Sequence, residues 1–340
     1  MTITAEARTA NPPTELAMAD YRPGLHQLRN TWFPLAHSQQ VRGAVVRRAM
    51  HGEPVFLWRD RGALQVTSSS PAERDRGHLG VTAFTDPGGK YPLVDRYGYA
   101  WVWYGDVETA DVALVPNIPH LPVEGLARHM QKNVIFDCSY ELCCENLLDF
   151  THADFLHAAL VGNPAAETDD IDVSSTSETV TVTRRARRRM VAPMQRPFVR
   201  AKYHDMDYIT VTHVRSGVNI IHVNWEGFGS VRMLHPTNPE STTRTRGMLS
   251  FNVENCSPVV RHLFPFVGHM VASQDNFALR PQNPRYFQEA GAKDMNSRFD
   301  KAGLRFRKVY QQLVSRQLQG DFSYLEDGHP SRDIRGELRL

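Results

Sequence analysis

No cysteine precedes Cys138, and only Cys143, Cys144 and Cys256 follow it in a chain of 340 residues. Adjacent Cys143 and Cys144 do not readily form a structural bridge, so four reduced and mostly buried thiols are expected, packed rather than ligating, with no disulfide framework. No apolar run approaches the roughly 20 residues that span a bilayer. Residues 1–20 lack a basic region followed by an apolar block, so no secretory leader is expected. A formal net charge of +2 gives no drive towards nucleic acid or an anionic membrane. Internal repeats, phosphate loops and nucleotide-binding fingerprints are missing too. What these absences leave is a cytoplasmic protein with neither a nucleic-acid nor a membrane partner. Its 41% apolar and 22% charged residues are ordinary for a globular chain. The length suffices for one large domain or two smaller ones with a sizeable core.

What is present centres on Glu145-Asn146-Leu147-Leu148-Asp149-Phe150-Thr151-His152-Ala153-Asp154-Phe155-Leu156-His157. Tyr140, Leu142, Leu147, Leu148 and Phe150 give this run the apolar bulk of a buried helix. Five residues of an ideal helix turn through about 500°, so His152 and His157 would not share a face. They converge on one ion only if the helix widens locally or ends between them. Neutral imidazoles suit Fe(II) or Zn(II), and two of them with one carboxylate make a facial triad with open positions for oxygen chemistry. A pair of nearby histidines without that context is more often a hydrogen-bonded structural feature.

The context is the whole pattern Glu-Asn-Leu-Leu-Asp-x-x-His-x-x-x-x-His, which resembles the iron-binding helix of the Rieske non-haem iron oxygenases. The resemblance implies that His152 and His157 are iron ligands. It implies that Asp149 holds a ligand ring and bridges towards the electron-donating cluster of a neighbouring subunit. Asn146 matches an asparagine often found near the iron in that family. Far downstream, Gln274-Asp275-Asn276-Phe277-Ala278-Leu279-Arg280-Pro281-Gln282 resembles the family's late helix, which makes Asp275 the carboxylate ligand. On local sequence alone Asp275 would pass for a solvated helix charge.

The N-terminal part reads as short strands. Trp32-Phe33-Pro34-Leu35-Ala36-His37-Ser38 enters a β-domain, and strands are expected over 45–50, 54–59, 64–67, 91–94 and 97–105. Alternation around Trp101 and Trp103 suggests a half-buried face. Their order resembles the Rieske domain of the same family. A Rieske [2Fe–2S] centre needs two cysteines and two histidines. The interval from Ser68 to Lys90, where that family carries them, holds His78 but no cysteine. The chain is therefore expected to lack its own cluster.

Beyond a linker-like stretch at 106–122, a strand is expected at 134–136. The loop at 161–171 is a candidate for the mouth of the site. Strands dominate from 172 to 254, and an amphipathic helix over 297–319 carries Phe299, Leu304, Phe306, Val309, Tyr310, Leu313 and Leu318 as apolar markers. Arg184-Arg185-Ala186-Arg187-Arg188-Arg189 reads as a solvated strand end or hairpin, or as a place for an acidic electron-transfer protein to dock. Of His204, His213, His222 and His235, one or two are expected to line a pocket.

The expected fold class is α+β: a small antiparallel, degenerate Rieske-like β domain, then a helix-grip catalytic domain with an antiparallel sheet. The expected division is a flexible arm at 1–24, the β domain at 25–108, the iron domain at 109–322 and a polar tail at 323–340. The resemblance implies a homo- or hetero-trimer with one mononuclear Fe(II) per chain. O2 and a small organic molecule would be the substrates of hydroxylation or oxidative dealkylation. Electrons would come from a separate Rieske or ferredoxin/reductase partner. Two alternatives stand beside this: an iron enzyme that needs no external reductant, and a non-catalytic subunit that stabilises an active homologue.

Overall fold

The computed structural model of the chain describes residues 15–68, 91–124, 130–162, 169–252, 257–288, 294–297 and 299–323. The interval 69–90 with His78, Cys256, most of the loop at 161–171, and the tail beyond Ser323 lie outside the described residues.

Among the described residues, six strands form two three-stranded antiparallel sheets. One has the order β1 (Thr31–His37), β6 (Tyr99–Tyr104), β5 (Leu93–Arg96); the other runs β2 (Val46–Met50), β3 (Glu53–Asp60), β4 (Ala63–Thr67). Three of their connections are two-residue hairpins: His51-Gly52, Arg61-Gly62 and Tyr97-Gly98. Both residues of each have positive φ, from 48° to 87°. That geometry matches strand twist, and the glycine adopts it without steric cost.

The β1–β6 layer is covered on both sides. Phe33, Leu35, Ala100 and Val102 pack with Val55 and Leu57 of β3. Trp32, Trp101 and Trp103 pack instead with Ile209, Val211, Ile220 and Leu234 of the large sheet. This corrects the expected half-buried face, since every residue from Tyr99 to Trp103 is buried. Residues 106–122 are likewise no loose linker. Leu114, Val115, Ile118 and Leu121 join the tryptophan cluster. Asp106 and Asp111 cap two short 3-10 turns there, and Trp103 and Trp32 donate indole hydrogen bonds to the Asp106 and Asp111 carbonyls at 2.8 and 2.7 Å.

Among the described residues the third sheet has seven antiparallel strands in the order β7 (Met130–Phe136), β13 (Arg244–Asn252), β12 (Gly229–Ser241), β11 (Val218–Trp225), β10 (Tyr203–His213), β9 (Thr179–Met190), β8 (Asp170–Ser175). Helices α1 (Tyr140–Leu148) and α2 (Ala153–Leu156) lie between β7 and β8 in the chain. After β13 come α3 (Pro258–Leu279), α4 (Gln282–Gln288) and α5 (Lys301–Leu318). The sheet packs on α1, whose Leu142 and Cys143 meet Val134, Phe136 and Leu249. On its other side, Tyr140, Cys144 and Leu148 meet Phe306, Tyr310 and Leu313 of α5. The α+β class and its antiparallel sheets follow the sequence expectation. Cys138, Cys143 and Cys144 are buried free thiols, and burial pushes the Cys144 thiol up to about 12.

Three further expectations are corrected. Residues 15–24, counted with a flexible arm, lie on α5: Leu16 and Tyr21 are buried, and the Leu16 amide donates to Ser315 Oγ at 3.0 Å. Leu304 and Leu318, taken as apolar markers of α5, are 38% and 40% exposed, while Ala302 and Val314 are buried in their place. In the arginine run, Arg185 and Arg187 are solvated, but Arg184 and Arg189 are each only 2% exposed. Five positions apart on a regular strand they would face opposite ways. A register shift opposite His204 and Met206, with Arg188 at φ 50°, resets the alternation and turns both inward.

Candidate active site

The α1 helix ends where the sequence needs it to. Asp149 occupies its C-terminal cap with extended backbone, and its Oδ1 accepts from the Thr151 amide at 2.9 Å. The short α2 then starts immediately after His152 and ends immediately before His157. This break swings the two imidazoles together, with ring centroids 5.2 Å apart and planes at 77°. The widening or ending required by the five-residue spacing is thus a complete stop.

Asp275 arrives from the last turns of α3. Its Oδ1 lies 3.0 Å from His157 Nε2 and 3.3 Å from His152 Nε2. One donor atom from each of the three residues falls within 4.8 Å of the others, a spacing at which a single metal ion can be held. Burial alone would raise the Asp275 carboxyl, but the hydrogen bonds from His152 and His157 outweigh it and hold it well below the usual carboxylate range. Burial alone would lower His152; the Asp275 hydrogen bond and charge reverse this and raise it.

Neighbouring side chains fix these donors. Gln274 Oε1 sits 2.8 Å from His157 Nδ1 and is placed to accept its proton; with a metal bound, that would leave the Nε2 lone pair to the ion. Consecutive residues of one helix thus supply both the carboxylate and the orienting amide. Asp149 Oδ2 is 3.8 Å from His152 Nδ1, too far for a hydrogen bond. Asp154, between the two histidines, is buried and accepts from Arg184 Nη2 at 2.6 Å and Arg189 Nη2 at 3.0 Å. Asp169 Oδ2 completes the cluster, 2.6 Å from Arg184 and 3.0 Å from Arg189, and Arg184 also donates to the Phe150 carbonyl at 3.2 Å. The cluster ties α2 to β9. Sequence reasoning missed both Gln274 and this cluster. The only hints were the acid between the two histidines and the arginines already noted.

A cavity of about 140 Å³ opens beside the triad. Its walls are Ile221, Val223 and Trp225 of β11, Met233 and His235 of β12, Leu249 and Phe251 of β13, and Phe264 to Ala272 along α3. Asn146 borders this cavity, and with Asp149 it also borders a polar cleft of about 510 Å³ whose rim includes Glu145, Arg285 and Arg307. Gly268 lets α3 approach closely, since a Cβ there would come within 2.8 Å of Phe251 Cζ. Of the four strand histidines only His235 is among the described lining residues, and burial pushes its imidazole down to about 4. Among the described residues no helix is long and apolar enough to cross a membrane.

Residues 136–316 match the family described as the vanillate O-demethylase oxygenase C-terminal domain. A vanillate O-demethylase oxygenase subunit of Pseudomonas sp. is 33% identical over 117 residues, which are 33% of this chain and 31% of that protein. The oxygenase component of dicamba O-demethylase from Stenotrophomonas maltophilia is 33% identical over 82 residues, 24% of this chain and 22% of that one. These alignments therefore span less than a third of the relatives' own length. Dicamba monooxygenase bound to 3,6-dichlorosalicylic acid superposes with a TM-score of 0.67 at 19% identity, covering 86% of this chain and 98% of that one. That likeness establishes the fold, from the small N-terminal sheets to the large antiparallel one. Because the matched segment 136–316 is more than half of the chain and runs from before α1 to within α5, this protein belongs to the vanillate O-demethylase oxygenase C-terminal domain family, within the Rieske non-haem iron oxygenases.

Proposed function

We propose that the chain is a non-haem Fe(II)-dependent oxygenase component that hydroxylates or oxidatively dealkylates a small organic molecule. The convergence of His152, His157 and Asp275 carries this reading. Two imidazole nitrogens and one carboxylate, converging beside an apolar cavity, fit Fe(II) by donor chemistry. When bound, the ion supplies a place for O2 to bind and be reduced beside the substrate. The chain's own residues do the rest. Gln274 holds His157 in one tautomer, the arginine–aspartate cluster keeps α2 in place, and the walls of β11 to β13 and α3 exclude water and position the substrate.

Electrons are assigned to a separate Rieske or ferredoxin/reductase partner, because no cysteine occurs in the chain before Cys138 to bind a cluster in the β domain. Asp149 and Asn146, shared between the polar cleft and the triad's surroundings, are the residues proposed to face that donor. A homo- or hetero-trimer would provide the neighbouring subunit. The domain boundaries at 108 and 322 are retained as part of the proposal.

The test begins with metal. Titration of the full chain with Fe(II) under argon should give one ion per chain, and His157→Ala and Asp275→Ala should each abolish it. Zinc retained at full occupancy, with iron unable to replace it, would move the reading to hydrolysis. Single-turnover oxidation of the bound substrate should then require an added Rieske protein and reductase. Turnover with Fe(II) and O2 alone would overturn the assignment of a separate donor.

A further inference from the structure

The described walls of the cavity beside the triad offer nothing cationic to an acid. No lysine or arginine is among its described lining residues. Burying a carboxylate or sulfonate among Trp225, Phe228, Phe251 and Phe264 without a partner costs several kcal/mol. The charge of a divalent ion would lie at the triad, beside the reacting carbon, so an acid group across the ring would still face these apolar walls.

One polar group on the strands is left open. His235 is 6% exposed, and its Nδ1 has no hydrogen-bond partner. Gly247 gives the ring its room, since a Cβ there would lie 3.4 Å from His235 Cε1. A buried nitrogen without a partner is a standing cost that a ligand can relieve.

We infer that the substrate is an uncharged aromatic molecule whose one hydrogen-bonding substituent meets His235, and not an aromatic acid. The inference rests on the oxygenase reading for the word substrate. It sets this chain apart from relatives whose names specify vanillate or toluene-4-sulfonate, both anions.

The experiment uses a matched pair of probes, 4-methoxybenzamide and 4-methoxybenzoate, with 4-methoxytoluene as a third that lacks the polar group. Binding to the full chain is measured by calorimetry under argon at pH 7, with and without Fe(II). The amide should bind at least about tenfold more tightly than the benzoate. His235→Phe should weaken the amide about tenfold and leave 4-methoxytoluene within about twofold. Benzoate binding equal to or tighter than amide binding overturns the inference, as does a failure of both to bind. If His235→Phe shifts the amide and the toluene equally, or neither, the role of His235 is overturned. No turnover enters this measurement. The preference can therefore fail while the iron site stands, or hold in a chain that takes up no iron.

Discussion

His157 Nε2 and Asp275 Oδ1 lie 3.0 Å apart although 118 positions separate them in the chain. The sheet from β8 to β13 carries the chain around α1, and α3 returns it so that Gln274 and Asp275 face the histidines.

Gln274 is predicted to set how well the site holds metal. Gln274→Leu removes the acceptor of His157 Nδ1 and frees the ring to choose the other tautomer. Loss of such an orienting partner typically weakens metal affinity by about 10- to 100-fold. Anaerobic Fe(II) titration checks this, and Gln274→Glu, which keeps an acceptor, should recover most of the loss.

The arginine run separates into structural and solvated members. Arg184→Met leaves Asp154 and Asp169 short of a charge in a buried cluster, and should cost about 3–5 kcal/mol of stability and impair metal uptake. Arg185→Met removes only an exposed pair with Asp170, 3.4 Å away, and should cost under about 1 kcal/mol. Urea denaturation of the two variants distinguishes them.

Acid should destabilise the fold through buried neutral histidines. His213 is 2% exposed with neither ring nitrogen hydrogen-bonded, and burial lowers it from 6.5 to about 4. Its folded value lies below the unfolded one, so the unfolded chain binds more protons between those limits and stability falls as pH drops through that window. From pH 7 to pH 5 this one group should withdraw about 2 kcal/mol. His213→Phe should remove that part of the slope, measured as the change in Tm across the same range.

Gly268 should prove necessary to the cavity. A Cβ 2.8 Å from Phe251 Cζ must displace a buried ring, and overpacking of this kind costs about 1–3 kcal/mol. That exceeds the roughly 1 kcal/mol that alanine gains over glycine within a helix. Gly268→Ala should therefore lower Tm and weaken 4-methoxybenzamide binding together; a rise in Tm would show that α3 has slack there.

The sequence by itself determined the strands of the small sheets, the apolar helix run and the two histidines that follow it. These are readable because hairpin glycines, period-two alternation and ligand types are local properties. It also posed the geometric problem of two rings about 500° apart. Only tertiary structure decided how that problem is resolved, with α1 stopping at Leu148. The inward turn of Arg184 and Arg189 depends on a register shift in β9, which no alternation pattern reveals because one extra residue inverts the facing of all that follow. The full burial of Trp101 and Trp103 needed a second sheet on the far side of the strand. Asp275 has the local pattern of an ordinary surface acid, and it becomes a site residue because packing of α3 against the sheet brings it to the imidazoles; proximity between distant residues is a property of the packed chain alone.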